Sequence, residues 1–357
     1  MKKITTLFLG FLFSMTLAQI PGNYYTDTTG LTGAALKTKL SQIISTGVRD
    51  NGYNALYDAY KTTDRDSFYE KDGTVLDMYS ENPTGPDPYN YNHVKADQCG
   101  NYKNESDCYN REHVVPQSLF NKNAPMVSDV HHIRPTDGKV NGYRSNYTFG
   151  IVQTASITTM NGSKVGTSRS AGFSGTVFEP IDEFKGDIAR MIFYFVTRYE
   201  NQLRNFDEGD MLGGSAFPGL QTWELEVLKT WAAQDPVSPA ETVRNNASYV
   251  FQGNRNPFID NPQWITDIWG AALATDENTN TLTKPTIYPN PVQNGELFVT
   301  GKELNKIQTA QIFDASGKLV QNLYLPFKNG NRIILSNQTK GLYFLKINGD
   351  ILKFLVD

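Results

Sequence analysis

The chain has little cysteine, little histidine and no excess of positive charge. Its 357 residues include 2 cysteines and 4 histidines, and 33 Lys and Arg against 37 Asp and Glu give a formal charge of -4. No global field draws such a chain to a polyanion or an anionic membrane, so a nucleic acid would have to be held by a local basic patch. This argues against a DNA-coating protein but not against an enzyme with one basic groove. After the opening residues no run is apolar enough to cross a bilayer. What is present, 39% hydrophobic residues over this length, is enough for one large domain and a smaller one.

The first residues read as an export signal. Lys2 and Lys3 precede an apolar run from Ile4 to Leu17, and the small residue Ala18 offers a cleavage position, so residues 1–18 are expected to be removed and Gln19 to open the mature chain. The run is shorter than the roughly 20 residues a membrane span needs. In an exported protein the lone pair Cys99 and Cys108, bracketing the polar "GNYKNESD", is most simply a disulfide. Closing so short a loop stabilises by roughly 2 to 3 kcal/mol in the chain-entropy model. A zinc site would need a second cysteine pair or suitably spaced histidines, and neither is nearby.

Composition changes in "ATDENTNTLTKP", residues 274–285, which reads as a linker between a domain over 19–273 and another over 286–357. Upstream, helical spacing dominates. Leu36, Leu40, Ile43 and Ile44 form one apolar stripe; Phe184, Ile188, Met191, Ile192, Phe195, Val196 and Tyr199 form another, expected as core rather than as a platform for stacking bases. Arg190 and Arg198 on that second helix are expected to be solvated, and Asp64, Arg65 and Asp66 in "TDRD" to form a surface turn with an ion pair. Ser238, Pro239 and Glu241 have the spacing of a capping box opening a third helix. Downstream, "ELFVT", "IQTAQIF", "KLVQNLYL", "RIILS", "GLYFLKI" and "ILKFLVD" are short β-branched and aromatic segments between turns, the pattern of a small antiparallel β-sandwich. That region has no histidine or cysteine, so the chemistry is sought upstream.

It concentrates around "NREHVVPQSLF" and "SDVHHIRPTDGKVNGYRSN". Glu112 is a hard oxygen ligand of the kind Mg²⁺ prefers, Asn141 offers an amide oxygen, and His113 is the residue type best suited to act as a base near neutral pH. Arg134, Lys139 and Arg144 add positive charge in the same segment. A base, a cation site and a guanidinium are what phosphodiester hydrolysis requires. Neighbours on a strand face opposite ways, so joint use of Glu112 and His113 implies a strand that ends or bends there, as Pro116 indicates. Two other function classes are open. A zinc hydrolase would use His113, His131 and His132, although the adjacent pair lacks the i, i+4 spacing that puts two ligands on one helix face. A non-catalytic nucleic-acid binder would be expected to lack the base or a ligand, and all three residues are present.

These two segments, with "GDIARMIFYF" and "FQGNRNPFID", resemble the bacterial endonuclease I family of secreted or periplasmic non-specific nucleases, over most of 24–269. The resemblance implies an α+β, mainly helical nuclease domain with a ββα-metal (His-Me finger) core, one Mg²⁺, with Mn²⁺ or Ca²⁺ as alternatives, and cleavage of DNA and often RNA to 5′-phosphate ends. Matched residue by residue, His113 is the general base, and Glu112 and Asn141 are metal ligands. Arg134 and Arg144 are the candidates for the phosphate contact, while His132, Asn254 and Asn256 support the site. His131 carries no assigned role. Two departures stand out: the segment between His113 and His131 is shorter than in periplasmic relatives, and the family's several disulfides are reduced to one pair.

"IYPNP" at Ile287 to Pro291, opening a β-rich region that ends "KGLYFLKINGDILKFLVD", resembles the type A sorting domain of the type IX secretion system. That implies passage across the outer membrane, with a product released or attached to the cell surface and the secretion machinery as a partner. Asp357 departs from the basic residue with which such tails commonly end.

Overall fold

A computed structural model describes residues 20–270 and, further on, 285–293, 295–300, 304–328, 330–336, 339–347 and 350–356. The export signal at 1–18 and all but the last residue of the 274–285 linker lie outside the described residues. The chain divides into two compact units, one through Thr275 and one from Asp276.

The larger unit mixes helices and strands. In chain order its elements are α1 (Gly33–Ser45), α2 (Leu56–Thr63), β1 (Tyr109–His113), β2 (Ile133–Asp137), α3 (Gly138–Arg144), β3 (Thr148–Phe149), β4 (Val152–Thr158), β5 (Lys164–Ser168), β6 (Thr176–Glu179), α4 (Lys185–Arg198), α5 (Thr222–Gln234), α6 (Pro239–Gln252), α7 (Pro257–Asp260) and α8 (Trp264–Trp269). The centre is α4, buried at every position from Gly186 to Arg198, with α1, α5 and α7 packed on it. Ile188, Ile192, Phe195 and Val196 are fully enclosed, and side chains of this kind each contribute about 1.5–3 kcal/mol on burial. The aromatic stripe is core.

Burial all round a helix that carries Arg190 and Arg198 corrects the expectation that they are solvated. Arg190 donates to both oxygens of Glu241 at 2.6 and 2.7 Å and to the Asp235 carbonyl at 2.8 Å, and Arg198 pairs with Asp129. A buried guanidinium is tolerable only when paired and hydrogen-bonded in this way. Glu241 also completes the capping box of α6, its carboxylate accepting from the Ser238 amide at 3.0 Å while the Ser238 hydroxyl accepts from the Glu241 amide at 3.1 Å. The "TDRD" turn is likewise only partly on the surface, for Arg65 is exposed but Asp64 and Asp66 are buried. Asp64 pairs with Arg134 at 2.6 Å and Arg244 at 3.0 Å, and Asp66 accepts three backbone amides, from Phe68, Tyr69 and Lys71.

Two sheets accompany the helices. β1 and β2 pair antiparallel, with Glu112 opposite Arg134 and His113 opposite Ile133, and α3 follows β2 at once and packs on β1. A second sheet of four strands, ordered β3-β6-β5-β4, has no counterpart among the sequence expectations. The reason is visible in β4, whose seven residues have no buried position and therefore carry no alternating apolar signal.

The smaller unit comprises β7 (Thr286–Gln293), β8 (Glu296–Thr300), β9 (Thr309–Asp314), β10 (Leu319–Tyr324), β11 (Arg332–Ile334), β12 (Gly341–Ile347) and β13 (Asp350–Val356). All six segments expected as strands are strands. They do not remain two separate antiparallel sheets: the antiparallel groups β10-β9-β12-β13 and β7-β8-β11 are joined by a parallel bridge between β13 and β7 at Val356 and Val292. The result is one curled sheet of seven strands. Every second residue of β12, Tyr343, Leu345 and Ile347, faces a core shared with Leu297, Val299 and Ile312.

Candidate active site

The site is built where the β1–β2 hairpin meets α3. Asp137 ends β2 and caps α3, its Oδ1 accepting from the Val140 amide at 2.8 Å. Its Oδ2 takes the Tyr91 hydroxyl at 2.6 Å and the Ser106 amide at 2.8 Å. The Asp137 amide donates to Asp77 at 2.7 Å; burial and then the neighbouring Asp137 push the Asp77 carboxyl up to about 8. The disulfide joins Cys99 and Cys108 at the start of β1, and the Cys99 amide donates to the Tyr109 carbonyl at 2.9 Å. It therefore ties the incoming loop to the strand that carries Glu112 and His113.

Glu112 is buried beside two donors. Its Oε1 accepts from the Tyr79 hydroxyl at 2.9 Å and lies 3.0 Å from Arg144 Nη1. Among the described residues, Oε2 accepts no hydrogen bond. Burial raises the carboxyl above its ordinary range, with Arg144 and Tyr79 opposing. Asn141 is half-buried on α3, one turn before Arg144, so the two stand on neighbouring positions of one helix face. Its side-chain amide makes no hydrogen bond among the described residues. Glu112 Oε2 and the Asn141 amide are thus uncommitted hard donors, a set that fits Mg²⁺ and that thiophilic or imidazole-seeking metals would not favour.

His113 is the last residue of β1. Its Nε2 meets the Val127 carbonyl at 3.2 Å, so Nε2 carries the proton and Nδ1 presents a lone pair with no partner among the described residues. The ring lies among Tyr53, Phe120 and His132. Burial, reinforced by the charges of His132, Arg111 and Arg144, lowers its pKa to about 3, which keeps the imidazole neutral at physiological pH.

The two candidate phosphate contacts are both turned inward, each 1% exposed. Arg134 spans Asp64 at 2.6 Å and Asp187 at 3.4 Å. Arg144 donates to the His113 and Val114 carbonyls at 2.7 and 2.6 Å in addition to its pairing with Glu112, so it clamps the end of β1 to α3. The arginine that sequence reasoning passed over is Arg111. It is half-buried, lies 3.5 Å from the ring centre of Tyr53 and 4.5 Å from that of Tyr57, and donates to the Tyr53 carbonyl and the Asn54 amide oxygen. Among the described residues no carboxylate pairs with it. Arg111 and His113 are two apart on β1 and share the face that Tyr53 covers, a signal available in the "REH" spacing.

The residues expected to support the site are core groups. His132 is fully buried with Nε2 2.8 Å from the Met126 carbonyl, and burial lowers its pKa to about 4 against the pull of Asp129. His131 meets the Asn254 carbonyl at 2.9 Å. Asn254 donates to the Ile44 carbonyl at 2.8 Å and to the Tyr194 hydroxyl at 2.7 Å. Asn256 caps α7 and donates to the Arg190 carbonyl at 3.0 Å. Each of the three imidazoles of the zinc alternative therefore has its Nε2 engaged by a different carbonyl. Among the described residues, the acidic, histidine or cysteine group close enough to share an ion is Glu70, Glu81 and Asp87, which includes none of them.

Comparison with known proteins shows the class: the protein is a nuclease. The chain belongs to the endonuclease I family, whose model matches residues 32–263, and family members are in general divalent-metal dependent. Residues 286–355 match the secretion system C-terminal sorting domain, which places the protein among those exported or carried to the cell surface. Over 251 residues it is 34% identical to the extracellular ribonuclease of Bacillus amyloliquefaciens, covering 69% of this chain and 78% of that protein. Identity is also 34% to the extracellular ribonuclease of Bacillus subtilis (strain 168), over 253 residues, 69% of this chain and 78% of that one. It is 26% to Endonuclease-1 of Buchnera aphidicola subsp. Baizongia pistaciae, over 134 residues, 38% and 46% of the two chains. No helix among the described residues is long and apolar enough to cross a membrane.

Proposed function

We propose that the larger unit hydrolyses phosphodiester bonds in DNA and RNA with little sequence preference, using His113 as general base and Glu112 and Asn141 to hold one divalent cation, Mg²⁺ in the first instance. The observation that carries this is the state of His113: neutral, its Nε2 proton directed to the Val127 carbonyl, and Nδ1 left to accept a proton from water. Attack by that water in line with the 3′ oxygen leaves a 5′-phosphate. Because the nucleophile is water and not the sugar 2′ hydroxyl, one site serves both nucleic acids, in keeping with relatives named as ribonucleases and as an endonuclease.

The remaining residues prepare the site. Tyr79 and Arg144 fix Glu112 through Oε1 and leave Oε2 free. Bound there, Mg²⁺ supplies charge stabilisation for the scissile phosphate and the departing oxygen. Arg111 is the guanidinium placed to meet a phosphate oxygen, while Arg144 positions Glu112 and Arg134 braces β2 against Asp64. A half-buried arginine and contacts mainly to phosphate give affinity that falls steeply with salt and little base readout. The C-terminal unit delivers the enzyme to the type IX secretion machinery, and the disulfide suits an oxidising destination.

The test is cleavage of supercoiled plasmid and of structured RNA by the full chain, with Mg²⁺, with EDTA, and with His113→Ala. The expected result is cleavage of both substrates that EDTA abolishes and the substitution lowers by about 10²–10⁴-fold at unchanged circular dichroism. Activity of His113→Ala at the wild-type rate would remove His113 from the mechanism. A folded wild type inert with every divalent cation would point to a binding protein.

A further inference from the structure

Between α2 and β1 the chain runs through a long irregular segment, and three of its acids converge. One carboxylate oxygen from each of Glu70, Glu81 and Asp87 lies within 4.8 Å of the others. Glu70 is exposed, Asp87 half-buried, and Glu81 only 1% exposed. An acidic cluster alone would mean little, since such groups commonly repel in solvent. Glu81 differs, because its Oε1 is buried with no hydrogen-bond partner among the described residues. Burial raises its carboxyl to about 9, and the charges acting on it, from Asp87, Glu70, Asp66 and Glu183, are negative.

The neighbouring acids show what satisfaction looks like. Asp66 is enclosed by three backbone amides, and Glu183 accepts the Tyr69 hydroxyl at 2.7 Å. Asp87 takes the Asn82 amide on Oδ1 at 2.7 Å and has its other oxygen available. Glu81 meets the convergence point with nothing from the described residues to offset it, and a buried anion without a partner is costly enough to demand a proton or a cation.

We propose that Glu70, Glu81 and Asp87 bind a divalent cation of the calcium class, at a site separate from Glu112 and Asn141. The donor set is oxygen only, which selects a hard ion. Oxygens on opposite sides of Ca²⁺, with bonds of roughly 2.3–2.6 Å, stand up to about 5 Å apart, whereas the shorter bonds to Mg²⁺ require a tighter cage. The exposed side of Glu70 leaves room for water to complete the coordination. The site braces the segment that serves the active centre: Tyr79, which donates to Glu112, precedes Glu81 by two residues, and Asp77, which accepts the Asp137 amide, by four. This inference goes beyond the catalytic reading and does not depend on it.

The experiment is a Ca²⁺ titration of the full chain after EGTA treatment, by calorimetry and by thermal melting, for the wild type, Glu81→Gln, Asp87→Asn and Glu112→Gln. The wild type is expected to bind one more Ca²⁺ per chain than either Glu81→Gln or Asp87→Asn, and to show a Ca²⁺-dependent rise in Tm that both lose and Glu112→Gln keeps. Asp87→Asn retains an oxygen for the Asn82 amide and carries the test if Glu81→Gln does not fold. Equal Ca²⁺ stoichiometry and an equal rise in Tm across wild type and both loop variants would overturn the site. So would a wild type that binds no Ca²⁺ beyond the ion lost in Glu112→Gln, which would mean that Glu81 carries a proton instead.

Discussion

Asp129 and Glu81 are carboxylates of equal burial, each about 1% exposed, in regions of opposite character. Around Asp129, in the turn before β2, the protein supplies the Arg198 guanidinium, the Tyr194 and Tyr199 hydroxyls at 3.0 and 2.8 Å, the Gln252 amide at 2.7 Å and the His131 backbone amide at 3.1 Å. Burial alone would raise the Asp129 carboxyl, but Arg198 leads a set of charges and donors that hold it well below the ordinary range. Around Glu81, burial and then the like charges of Asp87, Glu70, Asp66 and Glu183 raise the carboxyl, and its Oε1 has no hydrogen-bond partner among the described residues. The first region is closed and works as scaffold; the second is open and calls for something from outside the chain. The same contrast sorts the arginines. Arg134, Arg144, Arg190 and Arg198 are matched by carboxylates within the fold, while Arg111 rests on two tyrosine rings with no acid beside it among the described residues. Closed groups should cost stability when altered, and open groups should cost function.

The sharpest way to break the closed region is Asp129→Asn, which leaves the Arg198 charge buried without its counterion. A loss of about 3–5 kcal/mol in urea unfolding is expected, and a loss below about 1 kcal/mol would show that the network does not carry the core. A smaller effect comes from His131, whose pKa is lowered by burial from 6.5 to about 4 despite Asp129 and the Asn254 carbonyl. The native state refuses a proton that the unfolded chain takes up below about pH 6.5, so its contribution to stability is present above that pH and is lost as pH falls towards 4. Between pH 7 and 4.5 the wild type should lose about 2 to 3 kcal/mol more than His131→Gln, since each tenfold difference in proton affinity between the folded and unfolded chain is worth roughly 1.4 kcal/mol; parallel losses would contradict a neutral buried imidazole. The smallest effect in energy is on the open side. Arg111→Ala should lower kcat/KM by about tenfold to a hundredfold and flatten the salt dependence by about one counterion, with less than about 1 kcal/mol lost in stability. Unfolding comparable to that of Asp129→Asn would return Arg111 to the scaffold.

Much of this architecture was legible residue by residue. The apolar stripes at 36–44 and 184–199 became α1 and α4, "SPAE" became a capping box with both reciprocal bonds, and Cys99 and Cys108 are joined. Adjacency and spacing brought Glu112, His113 and Asn141 forward as a group, and the hairpin and α3 carry all three. Glu112 and His113 close the strand as neighbours, and Arg144 reaches the Glu112 carboxylate and the His113 carbonyl. What escaped was whatever depends on partners distant in the chain. Asp64 and Arg244 are 180 residues apart and Arg198 and Asp129 are 69 apart, so no local pattern distinguishes these buried pairs from solvated charges.

Local chemistry, then, was settled by the order of amino acids: which segments bury a stripe, which residue caps a helix, which strand segments alternate, and which side chains can act as base or ligand. These follow from interactions within a few residues, whose periodicity the chain displays directly. The tertiary structure alone decided which of those side chains are spent on one another and which remain available. It turned Arg134 and Arg144 inward, left Arg111 on its tyrosines, closed the shell around Asp129 and gathered Glu70, Glu81 and Asp87 at one point. Burial and pairing are properties of space rather than of sequence, and they determine whether a charge supports the fold or waits for a ligand.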